Sequence, residues 1–471
     1  MRMKLYSKFL VFLYSLFLSP LLANQQNTIL NKIEKNYKQS GVGAVAFVLV
    51  ENGKLVTAGG FGQYSHRDKT KVDQHSLFKI GSITKTFTAI AVMQQVEKGK
   101  LTLSQPIKSI LNKIPLINPY KHKPVTLAML LEHTSGLQDL NRKEFNYPTP
   151  LSLTEAFKVA PEARRIKTPP GYQYNYSNAG AGYLGRAIEV VNRVDYDDWF
   201  ETEILAKMGM KNSSLRWSQK TESQLVTGYD SDLTTPIPYW HTLFRPFGGM
   251  NTTALDMANL LQIFTAPRDA SWNQIISLES IQRMEHPTTS LASKAGLSMG
   301  YGLAIRNEIY RGHRLFGHGG DGDGYLAQFS YSKESGRGYF FVMNAFRHDI
   351  DRRFSRDLDN WLIEDLETVS YPKKHYALSE KQLKAITGEY QISTSRFIRK
   401  NRKSSAEKLI RLNNHFLQIC NKTQTVCEKL EPHSANLFYS AGDVLPSTVI
   451  IKADDGNTYM QHGNTNYRLL N

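Results

Sequence analysis

The run from Ser82 to Lys98 holds neither glycine nor proline, is apolar almost all round from Phe87 to Met93, and stops at Gly99. A surface helix keeps a polar face, so a helix with none has to be enclosed on every side. The spacing therefore predicts a helix over 82–98 at the centre of a domain large enough to surround it. Material for that enclosure lies along the chain. Val42 to Val50 and Leu55 to Ala58 flank Asn52-Gly53, a pair that tolerates the positive φ of a tight turn, and read as a hairpin. Further helices are expected at Leu127–Leu131, Gly182–Val191 and Ala254–Phe264, the last behind a capping-box pattern, Thr253-Ala-Leu-Asp256. Short β-like runs, Tyr325–Tyr331 and Tyr339–Val342, follow among glycine clusters, and Asp349–Val369 turns helical again.

At 471 residues the chain has room for two or three folding units of the usual ~150 residues. Residues 1–23 have the layout of a secretory signal peptide: Arg2, Lys4 and Lys8, then apolar Phe9 to Leu18, then Pro20-Leu-Leu-Ala23. The apolar run is shorter than the ~20 residues of a spanning helix, so export to the periplasm or the medium is expected, with no transmembrane anchor. Without the leader's three cations, 55 Lys and Arg face 42 Asp and Glu, a net charge of +13 that favours contact with anionic envelope polymers. Arg396-Phe-Ile-Arg-Lys-Asn-Arg-Lys403 concentrates that charge, but no nucleic-acid-binding motif accompanies it, and a solvated hairpin is the plainer reading.

The chemistry concentrates in Phe78-Lys-Ile-Gly-Ser-Ile-Thr-Lys-Thr86. Ser82 and Lys85 stand three apart at the start of the enclosed helix, on one face and within reach of each other. A lysine held in apolar surroundings loses stabilisation of its ammonium form, and a neutral Lys85 could take the Ser82 proton. Free N–H groups at the helix start offer partial positive charge to an oxyanion. In Pro170-Gly-Tyr-Gln-Tyr-Asn-Tyr-Ser-Asn178, Tyr176 supplies a phenol that can shuttle a proton and Asn178 an amide that can orient a lysine or a substrate carbonyl. Phe316-Gly-His-Gly-Gly-Asp-Gly-Asp-Gly-Tyr325 adds glycines that let a substrate backbone approach, and His318 as a proton donor or anion contact.

In this order the three segments resemble the motifs of the serine β-lactamase and penicillin-binding protein superfamily: Ser-x-x-Lys, Tyr-x-Asn, and Lys-Thr-Gly or a His-x-Gly variant. The Tyr-x-Asn form is similar to the class C β-lactamase, DD-peptidase and esterase branch. Leu130-Leu-Glu-His-Thr-Ser-Gly-Leu137 and Gly248-Gly-Met-Asn-Thr-Thr-Ala-Leu-Asp256 look like family landmarks. The resemblance implies an α+β fold, an antiparallel sheet flanked by helices with a helical subdomain. It implies acylation of Ser82, with Lys85 and Tyr176 managing its proton. Asn178 would orient the substrate, His318 and Gly320 would lie on the edge strand facing the nucleophile, and the N–H groups of Ser82 and Asp321 would form the oxyanion hole. No cofactor and no metal is implied, and the partner is a small-molecule or peptide substrate. His318-Gly-Gly320 replaces Lys-Thr-Gly, which removes the cation and hydroxyl that hold a carboxylate; recognition through His318 would be pH-sensitive or absent. Esters, amides, D-amino-acid peptides and β-lactams stay open as substrates. The alternative is a non-catalytic protein that keeps the pocket to bind cell-wall fragments or a partner.

Other patterns are set aside. Gly180-Ala-Gly-Tyr-Leu-Gly185 fits a dinucleotide fingerprint but follows no strand, so helix packing explains it better. Ser135 follows His133, but no Gly-x-Ser-x-Gly elbow exists. The hydrolase unit is expected over residues 24–372 and a small, all-β, lipocalin-like domain over 376–471. There Cys420 and Cys427 would be cross-strand neighbours if a turn fell at Thr423-Gln424, and an exported compartment would permit the bond; two unpaired, buried cysteines is the alternative.

Overall fold

A computed structural model describes residues 28–141, 144–267, 275–369, 371–394, 407–413 and 416–470. The expected leader and the basic run 396–403 lie outside the described residues.

The opening hairpin forms as β1 (Ala44–Glu51) and β2 (Lys54–Gly62), with Asn52 and Gly53 at φ 48° and 72°. A two-residue pair follows, β3 (Phe78–Lys79) with β4 (Asn251–Thr252). Then come β5 (Gly300–Tyr301), β6 (Arg306–Tyr310), β7 (His313–Gly322), β8 (Tyr325–Tyr331) and β9 (Arg337–Met343). They complete an antiparallel sheet of order β2-β1-β9-β8-β7-β6-β5. The period-2 alternation of β1 sorts its side chains onto two cores. Ala44, Ala46, Val48 and Val50 join the larger one with Phe87, Leu260 and Leu261. Val45, Phe47 and Leu49 face Ile29, Ile33, Phe354 and Leu358 on the other side. Helices thus cover both faces.

The enclosed helix spans Thr84–Glu97, and every residue from Thr84 to Gln95 is buried. It starts later than the spacing predicts. Ser82 lies in a tighter preceding turn, Gly81–Ile83, because Gly81 turns the chain through φ +49° where β7 crosses it; a Cβ there would stand 2.5 Å from the Asp321 carbonyl oxygen. The helix expected to reach Val369 runs His348–Ile363. Carboxylates disfavour a helix C-terminus, and Glu364 and Asp365 instead pair with buried Arg337. The capping box at Thr253 is half formed: Thr253 Oγ1 accepts from the Asp256 N–H, while the Asp256 carboxylate takes the Asn212 N–H and Ser213 hydroxyl.

The C-terminal part is a closed antiparallel barrel of β10 (Gly388–Ile392), β11 (Lys408–Asn413), β12 (Phe416–Asn421), β13 (Cys427–Pro432), β14 (Leu437–Tyr439), β15 (Thr448–Lys452), β16 (Thr458–His462) and β17 (Thr465–Leu469). Inward residues such as Tyr390, Ile419, Phe438, Ile450 and Met460 fill it, with Leu383 and Ile386 of the helix Glu380–Ile386 packed against them. At eight strands the interior is narrow enough to be packed by side chains. Cys420 and Cys427 are register partners on β12 and β13 and are disulfide-bonded.

Candidate active site

The turn Gly81–Ile83 leaves Ser82 half-buried at the mouth of the enclosed helix. One turn on, Lys85 is 3 % exposed, and its Nζ donates to Ser82 Oγ at 2.9 Å and to the Phe247 carbonyl at 2.8 Å. The expected pair therefore meets, although Ser82 precedes the helix proper. Lys85 Nζ also lies 5.0 Å from the centre of the Tyr176 ring, so Tyr176 closes the same corner.

Tyr176 is one of a cluster of rings. The His133 ring packs tilted at 4.0 Å from Tyr176 and 4.8 Å from Tyr301, and its Nδ1 accepts from the Ser177 N–H at 3.2 Å. Tyr301 hydrogen-bonds His318 Nε2. His318 Nδ1 lies against the Gly319 carbonyl, which can only accept; the proton therefore sits on Nδ1, and Nε2 accepts from the Tyr301 hydroxyl. Burial lowers the His318 pKa to about 3. A neutral imidazole with both nitrogens engaged lacks the charge that pH-sensitive carboxylate recognition would need.

That burial gives a stability prediction. The unfolded histidine takes a proton near ~6.5 and the folded one only near 3, so its contribution is fully present above the higher value and is lost as pH falls between the two. His318→Gln is expected to lose stability less steeply over that window than the wild type, read from urea midpoints at stepped pH; parallel slopes would count against it.

The glycines of β7 set its approach to the turn that carries Ser82. A Cβ on Gly320 would stand 2.0 Å from the Ile80 carbonyl oxygen, so the strand touches that turn only because position 320 has no side chain. Beyond β6, which ends its pairing at Gly317, the two-residue turn Asp323-Gly324 fixes the register with β8. In that register Gly322 and Gly320 bond toward β8, while Gly319 and Asp321 direct their N–H and C=O groups to the open edge beside Gly81.

Asn178 is buried. Its N–H and its amide Nδ2 both donate to Asp139, at 2.6 and 3.2 Å, and its Oδ1 is buried with no hydrogen-bond partner among the described residues. The loop carrying Asp139 is anchored by a fully buried ion pair, Glu144 with Arg164. Glu144 also accepts the Asn141 N–H.

Sequence reasoning missed His133 and Tyr301, which join the ring cluster only through tertiary packing. The only signal was the position of His133 in a landmark motif. It also passed over Lys79, which is buried, donates to the Trp240 carbonyl at 3.1 Å, lies 3.7 Å from the Tyr239 ring centre, and is lowered by burial to about 7. The dinucleotide-like glycines do sit in a helix, Ala179–Asn192, where a Cβ on Gly182 or Gly185 would strike Phe244 or Pro246 at 2.7 or 2.4 Å.

Known proteins agree with this architecture. The chain is 22% identical over 249 residues to Protein flp of Staphylococcus aureus, a match covering 52% of this chain and 50% of that one; the chain spans about half the length of such curated relatives. The octameric penicillin-binding protein homologue from Pyrococcus abyssi superposes with a TM-score of 0.59 at 22% identity, covering 95% of this chain and 99% of that one. A beta-lactamase/D-alanine carboxypeptidase from Yersinia pestis, complexed with citrate, does so at 0.59 and 21% identity, covering 71% and 96%. The family model described as Beta-lactamase matches residues 30–359, well over half of the sequence, and the chain belongs to that family.

Proposed function

We propose that the protein is an exported serine hydrolase that forms an acyl-enzyme on Ser82 and acts on an ester or amide. The observation that carries this reading is the 2.9 Å contact between Lys85 Nζ and Ser82 Oγ, made where the lysine is buried. Lys85 accepts the Ser82 proton as Oγ attacks the substrate carbonyl. Tyr176, whose ring lies beside Lys85, relays to the leaving group the proton that Lys85 took. The N–H groups of Ser82 and Asp321 hold the oxyanion, each such donor being worth about 3 to 4 kcal/mol of barrier. Asn178 orients the amine and substrate, and His318 with Gly320 forms the wall along which an extended acyl chain lies. Water then releases the acyl group.

The neutral His318 favours substrates that do not depend on a cation at this wall: esters and amides, ahead of β-lactams and of D-amino-acid peptides that present a terminal carboxylate there. Residues 24–372 form the hydrolase unit and 376–471 the appended domain. Residues 1–23 direct export, and the excess of cations suits anionic envelope polymers. Among the described residues no helix is long and apolar enough to cross a membrane.

The test is turnover of a short nitrophenyl ester, a D-alanyl-D-alanine peptide and a penicillin by wild type and by Ser82→Ala. Serine-dependent turnover of the ester, with slower or no turnover of the peptide and the penicillin, is expected. Equal rates for both proteins on all three would refute the hydrolase reading.

A further inference from the structure

The chemistry above leaves the C-terminal barrel idle, yet the barrel grips the run that carries Tyr176. Three consecutive residues are held from its side. The Tyr172 ring packs edge-on at 5.5 Å from Tyr459. Gln173 is 3 % exposed; its Nε2 donates to the Tyr467 carbonyl at 3.4 Å and its Oε1 accepts from Ser393 Oγ at 2.9 Å. Asn466, on β17 and 2 % exposed, donates from Nδ2 to the Tyr174 carbonyl at 2.7 Å. On the other side the Asn175 N–H donates to the His133 carbonyl at 2.7 Å, and the Tyr174 ring packs 5.7 Å from Tyr301.

Residues 172–176 belong to no helix or strand, so their position depends on these anchors. The Tyr174 carbonyl takes a donor from the barrel. Two residues further on stands the phenol, against Lys85.

We propose that Asn466 is a positioning residue for Tyr176: by fixing the Tyr174 carbonyl, the barrel sets the phenol against Lys85 and Ser82 and is part of the catalytic unit. This rests on the hydrolase reading. Displacing a reacting group by about 1 Å can cost on the order of a hundredfold in rate.

The experiment follows the rate of Ser82 phosphonylation by a fluorophosphonate, by intact mass, in wild type, Asn466→Asp, Tyr176→Phe and the double variant. Aspartate keeps the shape of asparagine and removes the donor. Asn466→Asp is expected to slow labelling about 10- to 100-fold. In the Tyr176→Phe background it should add less than about twofold, because both act through one group. Asp454→Ala, which breaks the exposed Lys123–Asp454 pair between the same two units, should stay within about twofold of wild type. Where Asn466→Asp does not fold, Asn466→Ala is read in the same cycle. Wild-type labelling by the Asn466 variant, or effects that multiply in the double variant, would overturn the positioning role while leaving the hydrolase reading intact. No labelling of the wild type would overturn both.

Discussion

Lys85→Met is expected to slow phosphonylation of Ser82 by about a thousandfold, within the roughly 10²–10⁴ that a positioned base contributes. Methionine keeps the length and apolar bulk of the stem, so the enclosed helix keeps its packing. The Phe247 carbonyl loses a donor, a cost of about 1–3 kcal/mol, offset by removing an ionisable group from a buried position. The melting temperature should therefore change by only a few degrees while the rate collapses. Stopped-flow labelling with a parallel thermal melt separates the two. An unchanged rate would mean that another group activates the serine.

Gly320→Ala is expected to reduce the same rate at least about a hundredfold and to destabilise the fold by about 1–3 kcal/mol. The added methyl would overlap backbone, the Ile80 carbonyl oxygen at 2.0 Å and its carbon at 3.0 Å, so no side chain can swing aside. The strand has to withdraw from the nucleophile turn, carrying the Asp321 N–H out of reach of an oxyanion. Gly319→Ala is the matched comparison, because its Cβ would meet nothing nearer than Gln328 Oε1 at 3.4 Å. Similar losses at both positions would contradict a role for the close approach at 320 alone.

The parts of the site that follow from local spacing could be read in the chain: a serine and a lysine three apart, at the head of a run with no polar face. Tyr176 and the glycines of β7 were legible as motifs. What local pattern could not carry was assembly. His133 and Tyr301 lie far apart in sequence and meet only because β5 packs beside the turn that follows Leu131, so their packing left no periodic trace. His318 carries no mark of burial in its glycine-rich neighbourhood; its neutral state follows from its enclosure among the surrounding rings. The two-residue delay in the enclosed helix arises from β7 crossing at Gly81, a contact between residues 240 apart. In the C-terminal part the alternating runs and the cysteine pair were visible, whereas closure required β10 to pair with β17 across the whole unit.

The central claim is that one serine, activated by the amine beside it, carries the chemistry. Peptide mapping after fluorophosphonate treatment tests this directly. The account predicts a single modified peptide containing Ser82, absent after Lys85→Met on the same timescale. Modification at another residue, or an unmodified Ser82 peptide in active protein, would contradict it.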